Sequence, residues 1–134
     1  MKIFVDTNVL VSAYTARGIS SDLVRFILAE HELLTGEVNL VELRRALREH
    51  FRASVQQVTA VGAELRAETV VPKPAAPSSL PIRHPDDRWV LASAVAGEAQ
   101  LLVTGDRDLL AVAGQSPVPI VDPRGCWERL RERA

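Results

Sequence analysis

Lysine is nearly missing from this chain of 134 residues: Lys2 and Lys73 stand against fourteen arginines. Enzymes that need an ammonium group beside a phosphate have little to work with, and neither lysine is well placed. A basic excess is missing too. The formal net charge is −1, so no global positive field draws in a polyanion. Contact with nucleic acid would need a local basic patch or a bound cation. There is a single cysteine, Cys126, which rules out an internal disulfide and suits a reducing cytosol. The first apolar run, Ile3-Phe4-Val5, is too short for a signal peptide, and Asp6 interrupts it. No stretch reaches the roughly 18 apolar residues of a membrane helix. What remains is a cytoplasmic globular chain with no membrane partner. At 47% hydrophobic and 25% charged residues, it can bury a core. Its length fits one domain over residues 1–134.

Short apolar runs alternate with helical patterns. Ile3-Phe4-Val5 reads as a buried parallel strand. A helix follows from Thr7 to Tyr14. A second runs from about Asp22 to Glu30, with Ser20 and Ser21 as candidate caps. Leu33-Leu34-Thr35 reads as a strand ended by Gly36. Helices then cover about Val38 to Phe51 and Ser54 to Leu65, and Thr69-Val70-Val71 reads as a strand. Residues 72–85 hold five prolines, which forbids a helix or central strand and predicts an extended surface loop. Beyond it come a helix from about Asp86 to Gly97, a strand at Leu101-Leu102-Val103 and a short helix near Arg107 to Ala113. A strand at Val118 to Val121 and a helix from Pro123 to Arg133 complete the pattern, with proline at the first helical position. Such alternation predicts an α/β fold with a parallel sheet covered on both faces.

In such sheets, sites form beyond the carboxyl ends of the strands. Two strands end in an acid there: Val5 runs into Asp6, and Val103-Thr104-Gly105 runs into Asp106. Were the strands neighbours, the two carboxylates would meet and repel, and a divalent cation would offset the repulsion. Each acid also precedes a helix, so helix capping competes with this reading. Asp87 shares a helix face with Leu91 and Ala94, which places it at the sheet-facing mouth of its helix; a first-turn acid complementing the helix dipole is the alternative. Glu42 lies about 200° from Leu40 on a helix whose apolar stripe is Leu40, Leu43, Leu47 and Phe51. Periodicity alone turns it to solvent, unless Val38, Val41 and Ala46 mark a second covered side.

These segments together resemble the PIN-domain family. Val5-Asp6-Thr7-Asn8-Val9-Leu10 is similar to the family's opening motif and Leu40-Val41-Glu42-Leu43 to its second. Pro85-Asp86-Asp87 with Val90-Leu91-Ala92-Ser93-Ala94 resembles the third, and Leu102-Val103-Thr104-Gly105-Asp106-Arg107-Asp108-Leu109-Leu110 the fourth. The order matches over about residues 2–122, and the nearest group is the toxin components of bacterial toxin–antitoxin systems. The resemblance implies a three-layer α/β/α sandwich around a central, mostly parallel sheet. It also implies an acidic site of Asp6, Glu42, Asp87 and Asp106, with Asp108 as an auxiliary acid. Asp6, Asp87, Asp106 and Asp108 would hold Mg²⁺ or Mn²⁺, and Asn8 and Thr104 would orient the acids. The implied activity is endoribonuclease cleavage of RNA, with an antitoxin protein as partner and a homodimer as assembly. His84 stands where close relatives often carry Asp, and Gly36 where Ser is common.

Arg44, Arg45, Arg48 and Arg52 share a long helix. They suit an RNA backbone or an acidic partner, and a solvated face with Glu49 is the plain alternative. Trp127 and Leu130 on the last helix read as core packing, with a dimer surface as the other choice. Two rival functions remain. A haloacid-dehalogenase-like phosphatase would use Asp6 as nucleophile, but it needs a second acid at position 8, which is Asn, and a lysine near the phosphate. A non-catalytic PIN-like module that binds a protein partner has no such mismatch.

Overall fold

The computed structural model describes residues 1–132. Five parallel strands form one sheet in the order β3-β2-β1-β4-β5. They are β1 (Lys2–Val5), β2 (Glu32–Gly36), β3 (Thr69–Val71), β4 (Leu101–Val103) and β5 (Ile120–Val121). The helices are α1 (Thr7–Thr15), α2 (Ile19–Glu30), α3 (Glu37–Glu49), α4 (Val55–Arg66), α5 (Pro85–Ala96), α6 (Arg107–Leu110) and α7 (Pro123–Glu132). The expected end of the last helix at Arg133 lies outside the described residues.

The pleat of β1 shows why its apolar run is continuous. Ile3 and Val5 join one core with Val9, Leu23, Leu43 and Leu130, while Phe4 joins the other with Leu34, Leu91, Leu102 and Ile120. A strand buried on both faces has no polar side to alternate. The result is the three-layer sandwich. The chain builds outward from β1 to β2 and β3, then returns to place β4 and β5 on the other side. That reversal makes the carboxyl ends of β1 and β4 the switch point, where open α/β sheets gather their sites.

Several local expectations needed correction. Ser20 and Ser21 do not cap α2, because the helix already begins at Ile19. Its cap position is Gly18, whose φ of 151° favours glycine over residues with a Cβ. Phe51 lies past the end of α3 and is exposed rather than part of its buried stripe. Gly36 belongs to β2 and is also the residue from which α3 starts. The short helix after β4 stops at Leu110, and a separate 3₁₀ turn covers Ala113–Gln115. Ser54 does cap α4, through a reciprocal bond pair with Gln57. Cys126 and Leu130 are buried, and Trp127 packs on Phe26 with ring centroids 5.2 Å apart.

The proline-rich segment runs over the surface but is fastened down. Ile82 is fully buried in the core beneath α5. The Ser78 amide donates to the Arg88 carbonyl at 2.9 Å, and Arg88 Nε donates to the Ile82 carbonyl at 3.1 Å. The Lys73 ammonium sits 4.5 Å from the centroid of the Trp89 ring. No helix among the described residues is long and apolar enough to cross a membrane.

Candidate metal centre

The β1–β4 pairing sets Val5 opposite Val103, and the Asp6 amide donates to the Val103 carbonyl at 3.0 Å. The two strand-end acids are thereby brought to one place. Asp6 is only 3% exposed. Its Oδ1 accepts from the Thr7 amide at 2.7 Å and from Asn39 Nδ2 at 2.9 Å. Its Oδ2 accepts from the Thr104 hydroxyl at 2.7 Å and from Asn8 Nδ2 at 3.2 Å. All four lone-pair positions of the carboxylate are thus engaged. Burial still raises its pKa, and the neighbouring Asp106 charge adds to this, while the Thr104, Thr7 and Asn39 bonds pull it back down. Asp6 is also the cap of α1, as the capping alternative expected.

Asp106 caps α6, and its Oδ1 accepts from the Asp108 amide at 2.8 Å. Its own amide donates to Thr104 Oγ1 at 3.0 Å. The Gly105 amide donates to Asn8 Oδ1 at 2.8 Å. Asn8 and Thr104 therefore lace the end of β1 to the end of β4. At position 8, where a phosphatase would need a second acid, the side chain instead donates a hydrogen bond to Asp6.

Asp87 is 9% exposed and opens α5 toward the same mouth. One carboxylate oxygen each from Asp87, Asp106 and Asp108 lie within 4.8 Å of one another. Asp87 Oδ2 is buried with no hydrogen-bond partner. Burial pushes the Asp87 carboxyl up to about 8, and Asp106, Asp6 and Asp108 push in the same direction. A buried oxygen among like charges is satisfied by a proton or by a cation. The all-oxygen donor set fits a hard divalent ion of the Mg²⁺ or Mn²⁺ kind.

Glu42 departs from its periodicity. It is half-buried rather than solvated, because α3 packs against α1 and α5 as well as α4. Burial raises its pKa, Asp6 and Asp86 raise it further, and Thr7 and His84 offset part of the rise. It therefore faces the acid pocket. His84 is exposed on the loop, 3.9 Å from the Asp86 carboxylate. Arg44, Arg45 and Arg48 are all exposed on α3.

One contributor escaped the sequence reading. Asn39 is fully buried, and besides Asp6 its Nδ2 reaches Thr7 Oγ1 at 3.0 Å. A polar residue three positions before Glu42, between Val38 and Leu40, was the available signal.

The fold and the polyacidic mouth define a class: parallel α/β/α domains that gather carboxylates at the sheet's switch point. The PIN domain profile matches residues 2–108, and the chain belongs to the PIN-domain family. No curated protein matches the sequence. Solved structures with a similar fold include VapBC2 from Rickettsia felis bound to a DNA fragment from its promoter. That likeness has a TM-score of 0.63 at 13% identity and covers 91% of this chain and 98% of that one. VapC20 of Mycobacterium tuberculosis, described as a sarcin-ricin loop cleaving toxin, gives 0.61 at 18% identity over 82% and 94%. VapBC-1 of nontypeable Haemophilus influenzae gives 0.62 at 17% identity over 92% and 99%. At these identities the likeness speaks for the fold.

Proposed function

We propose that this chain is a metal-dependent endoribonuclease and the toxin of a toxin–antitoxin pair. The observation that carries the reading is the unpartnered, buried oxygen of Asp87 inside its cluster with Asp106 and Asp108. Three carboxylates so close repel one another unless a proton or a cation joins them, and a divalent cation relieves all three at once. In this reading Asp87, Asp106 and Asp108 hold Mg²⁺ or Mn²⁺. Asp6 would add negative charge beside them as a further ligand. Asn8 and Thr104 keep Asp6 and Asp106 in register. A divalent ion at such a site lowers the pKa of water and offsets charge on a phosphate. Glu42, half-buried and raised in pKa with Asp6 among the causes, would take a proton from the attacking water. Family membership, and the similar toxin described as cleaving the sarcin-ricin loop, support RNA as the substrate. The similar two-component VapBC assemblies support an antitoxin protein as partner. A cytoplasmic homodimer completes the reading, with exposed Val41 on α3 and Val95 on α5 as apolar positions to cover. A ribonuclease assay with and without EDTA is the direct test, and cleavage that survives chelation defeats the proposal.

The net charge makes the metal centre the main electrostatic attraction for RNA, with one local supplement. Arg45 lies one turn along α3 from Glu42, and Arg48 follows at the next i+3 position. We expect Arg45→Glu with Arg48→Glu to weaken RNA binding and flatten its salt dependence. Two lost phosphate contacts reduce the log–log slope by roughly 1.4 for single-stranded RNA. An unaltered slope, measured by fluorescence anisotropy, would assign these arginines to plain solvation.

A further inference from the structure

Asp6 sits at the end of the sheet's central strand, so its carboxylate can turn toward β2 or toward β4. The four bonds it accepts divide by direction. Thr104, at the end of β4, takes Oδ2 at 2.7 Å. Asn39, in the first turn of α3 beyond β2, takes Oδ1 at 2.9 Å together with the Thr7 amide at 2.7 Å. The Asn39 amide is held by two acceptors, because Nδ2 also donates to Thr7 Oγ1 at 3.0 Å, and the Thr7 hydroxyl in turn donates to the Asn39 backbone carbonyl at 3.4 Å. Its orientation is not free. Turning the amide over would set its oxygen against the Asp6 oxygen. As it stands, Asn39 Oδ1 is buried with no partner. An unsatisfied buried acceptor is costly, so this side chain is not arranged for its own best hydrogen bonding. It is arranged for Asp6.

Gly36 makes the room. A Cβ at position 36 would stand 2.9 Å from Asn39 Oδ1, 3.2 Å from Ser93 Oγ and 3.3 Å from Ser93 Cβ. Any side chain there displaces the amide or Ser93, and Ser93 is fully buried in α5.

We propose that Asn39 is a positioning residue for the metal centre: it pins Asp6 Oδ1 inward, so that Oδ2 faces the Asp106 side of the pocket, and Gly36 supplies the space this requires. The proposal rests on the metal-centre reading above. It adds a residue that acts through Asp6 and touches neither ion nor RNA.

The test uses the full chain and Mn²⁺ alone as the first probe, with free Mn²⁺ followed by electron paramagnetic resonance. Asn39→Ala weakens Mn²⁺ affinity by about 10- to 100-fold, the usual effect of losing an outer partner of a metal site. In RNA cleavage at saturating Mn²⁺, kcat falls and KM for RNA holds, since Asn39 contacts no substrate. Gly36→Ala weakens Mn²⁺ binding in the same direction. Combined with Asn39→Ala its loss in Mn²⁺ affinity falls well short of additive, because the nearest group it displaces is gone and only the Ser93 contacts remain. Circular dichroism and melting in EDTA show whether each variant is folded. Wild-type Mn²⁺ affinity in folded Asn39→Ala overturns this inference alone. Additive losses in the double variant also overturn it, because they would mean Gly36 acts by another route. A wild-type chain that binds no Mn²⁺ overturns the metal-centre reading and this one with it.

Discussion

We expect Asp87→Asn to cut RNA cleavage sharply and at the same time to raise the melting temperature of the metal-free protein near pH 8. The loss is expected at about 10²- to 10³-fold, the size that follows removal of one charge-stabilising group from a preorganised site. The gain follows from linkage. In the folded chain the Asp87 carboxyl is pushed up to about 8, chiefly by burial and then by three neighbouring carboxylates, whereas in the unfolded chain it titrates near about 3.9. Below about pH 4 both states are protonated, and Asp87 costs nothing. As pH rises through the window, the unfolded chain releases its proton while the folded chain retains it, and stability declines. Above about 8 the folded carboxyl is ionised too, and the full penalty is in place. An amide at position 87 does not titrate, so the variant lacks this part of the decline. Asp6 and Glu42 are raised in the same direction and remain in both proteins. The difference between the two melting curves across pH therefore reports Asp87 together with its coupling to the neighbouring carboxylates. Thermal melts in EDTA at stepped pH provide the check. Parallel curves for variant and wild type would refute the buried-charge account, and retained cleavage would refute the catalytic one.

The second large effect is thermal stabilisation by Mn²⁺. A ligand at about 100 times its Kd that binds only the folded state adds about 2.7 kcal/mol. For a domain of this length that corresponds to roughly 10 °C in melting temperature. The shift should grow from mildly acidic to mildly basic pH, because the ion displaces a proton from the Asp87 cluster and relieves the repulsion that grows with ionisation. It should vanish in Asp87→Asn, whose three-carboxylate set is broken. Differential scanning fluorimetry with Mn²⁺ and, as a control, matched ionic strength of Na⁺ decides the matter. Equal shifts with Na⁺ would reduce the pocket to a general electrostatic sink.

These outcomes depend on residues that the sequence reveals to different degrees. Asp6 and Asp106 are readable because each directly follows a short apolar strand, and strand ends are where parallel sheets keep their sites. That the two strands are neighbours is decided by the return of the chain from β3 to β4, which no local pattern encodes. Asp87 is readable from its shared face with Leu91 and Ala94. Glu42 is not readable from period alone. A single apolar stripe assumes one packing partner, and α3 meets α1, α4 and α5. Family resemblance alone singled it out. Asn39 stayed hidden because its meaning lies in a bond to a residue 33 positions earlier. The start of α2 was misplaced for a simpler reason: serine is a good cap, but a glycine with positive φ had already turned the chain one residue before the helix.

The central place of β1 has a consequence for how the molecule comes into being. The strand made first from this sequence is flanked by β2 on one side and by β4 on the other, which follows almost a hundred positions later. Until β4 emerges, one edge of β1 has no ladder partner, and Asp6 lacks Thr104 and both acids beyond it. Formation of the acidic mouth must therefore wait for one of the longest loop closures in the fold, a slow and late event in folding. A nascent chain that carries only the first two family motifs holds Asp6 and Glu42 without Asp87, Asp106 and Asp108, so the acidic cluster cannot form until β4 and the residues after it have been made.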